Sequence, residues 1–97
     1  MADLIIKPAT GDGNKLILKN KAGVAVLTTS DDADVLPPTD NAVDLGSTSK
    51  RWKNIYTTDL HLQNERGNWT VIEEEDYLTL RNNKTDKVYK LVMEEIE

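Results

Sequence analysis

"LHLQNERGNWTVIEEEDYLTLRNNKTDKVYKLVM", residues 60–93, decides the fold. Leu60 and Leu62, and again Leu78 and Leu80, stand two residues apart, the spacing that places both members of a pair on one face of a strand. Two residues after each pair comes an Asn, Asn64 or Asn82. The turn segments "ERG" and "NKTD" follow, with Gly, Asn and Asp to take up left-handed backbone, and then "NWTVIE" and "KVYKLVM", rich in β-formers. Each run reads as a hairpin.

The same plan occurs once more upstream. "LILKN" (16–20), "KAG" (21–23) and "VAVLTT" (24–29) repeat the Leu-x-Leu-x-Asn pattern, the turn and the returning strand. The three repeats begin at residues 16, 60 and 78, an unequal spacing that rules out a solenoid of fixed period. A further strand is expected at "DLIIKP" (3–8), stopped by Pro8 and the turn-forming "TGDGN". Residues 30–46, "SDDADVLPPTDNAVDLG", carry acidic side chains and two prolines, and support neither a long helix nor a central strand. The expected layout is an N-terminal β-hairpin module over 1–35, an irregular connector over 36–46, and a short helix plus C-terminal β-hairpin module over 47–97. Asp31, Asp32 and Asp34 lack the Gly and distal Glu of a calcium loop and read as solvated charge.

The helix is expected in "STSKRWKNIY" (47–56). Ser47, Thr48 or Ser49 can cap its N-terminus, and Trp52, Ile55 and Tyr56 then fall at i, i+3 and i+4 on one face. A helix of one or two turns is unstable alone, because nucleation costs more than a few hydrogen bonds return. Its aromatic face must pack on something, as a plug at a strand junction. Arg51 is placed to stack on an aromatic ring or to reach a carboxylate such as Asp44.

Composition narrows the function. The 97 residues are 38% hydrophobic and 30% charged, with two Trp and no Phe. A chain of this length, folded alone, buries only about 60–68% of its unfolded surface, so the core is expected to be thin and help from other subunits is implied. A net charge of -5 with no Lys/Arg-rich stripe excludes nucleic-acid binding, which needs phosphate neutralisation, and disfavours an anionic membrane surface. No apolar run approaches a membrane span, and the N-terminus lacks the pattern of a signal peptide. Without Cys there is no disulfide framework.

No catalytic constellation suggests itself. His61 is the sole His and alternates with Leu60 and Leu62, so it faces away from them. The carboxylates at 73–76 read as solvated charge on a hairpin loop, not as a glycosidase pair. The chain is expected to be no enzyme, with no cofactor and no metal.

"AVDLGSTSKRWKNIYTTDLHLQN" (42–64) resembles a segment found near the C-terminal end of many bacteriophage tail-fibre and tailspike proteins. Leu45, Gly46, Ser47, Arg51, Trp52, Ile55 and Tyr56 carry the likeness. Residues 67–97 are similar to the ends of structural proteins of contractile-tailed phages, marine cyanophages in particular. The resemblance implies a homotrimeric, intertwined, all-β fibre module in a virion tail fibre, assembled in the bacterial cytoplasm. Other fibre or virion proteins would be its partners. Leu45, Gly46, Arg51, Trp52, Ile55, Tyr56 and Trp69 would serve in trimer packing. Such a module extends or caps a fibre and contributes to host attachment. The rival expectations are a host-glycan-binding module, with an exposed Trp as sugar platform, and a capsid decoration or head-fibre protein.

Overall fold

The computed structural model describes residues 2–97. The described residues form two antiparallel sheets and no helix, so the protein is all-β. The chain divides into two units, Met1–Arg51 and Trp52–Glu97. In the first, β1 (Ile17–Lys19), β2 (Ala25–Thr29) and β3 (Val35–Leu36) lie in that order. In the second, β4 (Asp59–Gln63), β5 (Asn68–Glu73), β6 (Leu78–Asn82) and β7 (Lys87–Lys90) form a four-stranded meander. Every strand pairs only with its neighbours in sequence.

The three expected hairpins are present, and the repeated Asn explains why each turns where it does. Asn20 Oδ1 accepts from the N–H groups of Ala22 and Val24, each at 3.0 Å. Asn64 Oδ1 accepts from Arg66 N at 2.9 Å and Gly67 N at 3.1 Å, and Asn82 Oδ1 from Lys84 N at 3.0 Å. A side-chain carbonyl here takes over donors that the ladder can no longer satisfy once the strand has ended. Left-handed backbone completes two of the turns, at Gly23 (φ 86°) and Asp86 (φ 62°). Ser30 performs the same service between β2 and β3, its Oγ accepting from Asp32 N and Asp34 N at 3.1 Å.

Register sorts the second sheet into two unlike faces. Leu60, Val71, Leu80 and Tyr89 are partners across all four strands, so one row of apolar side chains crosses the whole sheet. On one side of the row Leu62 and Trp69 continue into Asn82 and Lys87, and on the other Leu78 stands opposite Glu73. The opposite face carries the row His61, Thr70, Arg81 and Val88, together with the row Asp59, Ile72, Thr79 and Lys90. The first sheet has apolar groups on both faces, with Ile17 and Leu36 flanking Thr28 on one and Leu18 beside Leu27 on the other.

Neither sheet closes over its apolar side chains. Among the described residues no hydrophobic side chain is buried, and the buried residues are Thr28, Thr70 and Thr79.

The short helix expected over residues 47–56 does not form. Its cap exists: Lys50 N donates to Ser47 Oγ at 3.0 Å, as the third residue of a capped helix would. Ser47 N, however, donates back to Lys50 O at 2.9 Å and closes an isolated turn. Propagation would have needed a surface for the aromatic face, and none is offered: Trp52, Ile55 and Tyr56 are 64%, 70% and 93% exposed. The strand expected over residues 3–8 is also absent, and Leu4, Ile5 and Ile6 are exposed. A strand needs a second strand to answer its N–H and C=O groups, and none stands beside this segment. Val35 and Leu36, by contrast, add an edge strand immediately before Pro37, where the missing proline donor ends the ladder.

Candidate functional site

The residues singled out in the sequence fall at three places. Leu45 is exposed and helps to line an apolar groove of about 420 Å³ with Val26, Leu36, Pro37 and Val43, all within the first unit. Gly46 has a φ of 92°, a conformation that suits glycine, and this fixes the Leu-Gly order at the entry to the Ser47 turn. Arg51, Trp52, Ile55 and Tyr56 then run on with no strand or helix to hold them and with their side chains exposed. Arg51 takes no part in the ion pair or the cation–π contact found among the described residues. The ion pair joins Arg81 and Asp86 at 2.6 Å, and the cation is Lys90, 4.6 Å from the centre of the Tyr77 ring.

Trp69 occupies a different setting. It stands on the apolar face of the second sheet, half-buried, with its ring centre 5.8 Å from that of Tyr89 and tilted by 43°. Its indole lies against Gly67 and, with Leu62, Gln63, Asn64 and Arg66, bounds a recess of about 280 Å³.

His61 faces away from Leu60 and Leu62, as its place in the strand requires. There it joins a polar cluster that sequence inspection missed. Asn83 Nδ2 donates to Thr70 Oγ1 and to Asn68 Oδ1, each at 2.9 Å, and Asn83 N donates to Asn68 O at 2.8 Å. The Thr70 hydroxyl, already accepting from Asn83, has its proton free for His61 Nδ1 at 3.0 Å. Two strands and a turn are thereby tied across one face. The signal was present in the sequence only as a Thr and an Asn thirteen residues apart, which become neighbours once the β5–β6 register is known.

No family model, curated protein or solved structure matches the chain.

Function must therefore be argued from the chain's own surfaces. In the polar cluster the Thr70 hydroxyl lies 3.0 Å from His61 Nδ1, and its oxygen also accepts from Asn83 Nδ2. Among the described residues no three His, Asp or Glu side chains gather as a metal site, and no helix is long and apolar enough to cross a membrane. What the chain presents instead is apolar surface, in the groove of the first unit, along residues 52–56 and across one face of the second sheet.

Proposed function

We propose that the protein is a structural, non-enzymatic module of a bacteriophage particle, a homotrimer that extends or caps a tail fibre and contributes to host attachment. The observation that carries this proposal is the absence of any buried hydrophobic side chain among the described residues. Hydrophobic burial is the main favourable term in folding, and a chain that keeps its Leu, Val, Ile and Trp side chains wet on its own gains too little to offset the entropy of ordering. Such a chain folds by burying those groups against other chains. The resemblance of residues 42–64 to phage fibre segments supplies the count of three and the virion setting. Leu45, Gly46, Arg51, Trp52, Ile55, Tyr56 and Trp69 would then be packing residues in the trimer.

Size-exclusion chromatography with light scattering at micromolar concentration tests the proposal. The expected mass is three times the 10.9 kDa of the chain, and a stable folded monomer overturns it. A host-glycan module is the second reading, favoured by the recess beside Trp69, where an indole stands next to Gln63, Asn64 and Arg66. That arrangement offers a sugar ring a flat apolar surface and planar hydrogen-bonding groups. A capsid decoration protein would share the same trimeric physics.

A further inference from the structure

We infer that the second sheet is extended edge to edge by other copies of this chain: β7 of one copy pairs with β4 of the next, in the register that sets Lys90 beside Asp59 of that copy. The inference rests on the homotrimeric proposal above and names the strands that join the three chains into one ring.

The meander ends in two matching edges. β4 and β7 are its outer strands, each with one neighbour. Antiparallel partners alternate between pairs that exchange backbone hydrogen bonds and pairs that do not. Asn64 N donates to Gly67 O and Leu91 N to Leu78 O, which fixes the alternation in the first and last ladders. Leu60 and Leu62 therefore turn their backbone groups towards β5, and Lys87 and Tyr89 turn theirs towards β6. The N–H and C=O groups of Asp59, His61 and Gln63 point out of one edge, and those of Val88 and Lys90 out of the other. Asp59 O accepts from Thr57 Oγ1 at 3.0 Å and keeps a second lone pair for a strand alongside. With four strands, β7 and β4 run in opposite directions. A copy set beside the first thus continues both the antiparallel order and the alternation, with Lys90 to Asp59 and Val88 to His61 as the next hydrogen-bonded pairs.

Edge chemistry and charge identify the occupant. The first sheet blunts its edges: the β1–β2 ladder slips register between Leu18 and Lys19, and β3 is two residues long and stops at Pro37. β4 and β7 pair without a slip and contain no proline. Asp59 is the one carboxylate on β4, while β7 begins and ends with Lys87 and Lys90. Two β7 edges set together would crowd lysines along the seam, whereas β7 against β4 puts Lys90 directly opposite Asp59 on the same face. Neither side chain has an ionic partner among the described residues, where the ion pair is Arg81 with Asp86 and Lys90 rests on the Tyr77 ring. Unlike edges joined head to tail give a ring when the rotation closes, and a closed ring leaves no edge of this sheet open.

Leu62 and Lys87 supply the test. They end one row of the sheet, so within a single chain three strand spacings, about 14 Å, separate them, too far for a disulfide. Across the proposed seam they are directly opposed in a pair without hydrogen bonds, with Cα atoms about 4.5 Å apart. The chain has no Cys of its own. Leu62→Cys and Lys87→Cys combined in one chain and oxidised with diamide should run on a non-reducing denaturing gel as a covalent trimer. Gln63→Cys with Lys87→Cys, whose thiols would lie on opposite faces, should run as a monomer. If the first variant keeps the native mass of a trimer and does not cross-link, the edge pairing is overturned and the trimer stands. Cross-linked products longer than a trimer keep the edge pairing and overturn the closed ring, and a monomeric parent overturns both proposals. Should the cysteine variant fail to fold, charge decides. Asp59→Lys and Lys90→Asp should each raise the concentration at which the oligomer dissociates by about fivefold, and the two together should restore it to within about twofold. A double variant no tighter than the single ones overturns the register.

Discussion

Two buried threonines stand in opposite circumstances. Thr70 Oγ1 is bonded to Asn83 and His61, whereas Thr28 Oγ1 has no hydrogen-bond partner among the described residues. Val has nearly the shape of Thr and lacks the hydroxyl, so the same substitution should act with opposite sign at the two sites. Thr70→Val removes two hydrogen bonds and leaves part of the Asn83 amide unsatisfied, and should cost about 1–3 kcal/mol. Thr28→Val removes an orphaned oxygen and should be neutral or stabilise by up to about 1 kcal/mol. Urea unfolding of both variants reads the difference. A destabilising Thr28→Val would mean that its hydroxyl meets a polar group on another copy.

The elements show what was legible in the sequence and what was not. The three hairpins could be read because their causes are local: Leu pairs at period two, then an Asn whose carbonyl caps the turn within four residues. Ser47 was equally legible as a capping residue, yet the same short-range bond serves an isolated turn as well as a helix, and only a packing surface decides between them. The Thr70 cluster and the single-faced apolar row depend on register between strands, which no single segment specifies. Among the hairpins the central strands should hold longest. β5 and β6 are paired along both edges, over five residues with each other and between β4 and β5 and over four between β6 and β7, while β3 has two paired residues on one edge only. Hydrogen exchange should therefore find the slowest amides at 69–72 and 79–81 and fast exchange at Val35 and Leu36. Slowest exchange in the first sheet would show that contacts with other chains, not the ladders, set local stability.

For the whole molecule, the homo-oligomeric proposal would make stability a matter of concentration. A chain that buries its apolar groups only against other copies should melt at a temperature that falls on dilution, by several degrees over a hundredfold range, because mass action enters the folding equilibrium. A melting temperature independent of concentration would mean that the single chain is self-sufficient. Calorimetry or circular dichroism from about 1 to 100 μM would separate the two outcomes.

The meander has a mechanical consequence. Asp59, Ile72, Thr79 and Lys90 are partners in one row, so the second sheet is entered and left at the same end, from its two outer strands. Tension applied through residues 59 and 90 would load the ladders at that end and peel the outer strands away pair by pair, instead of shearing many hydrogen bonds at once. A lone sheet of this form would yield like a zip. Stiffness under load would have to come from side chains interlocked between chains, so that one strand could not peel without breaking its neighbours' contacts as well.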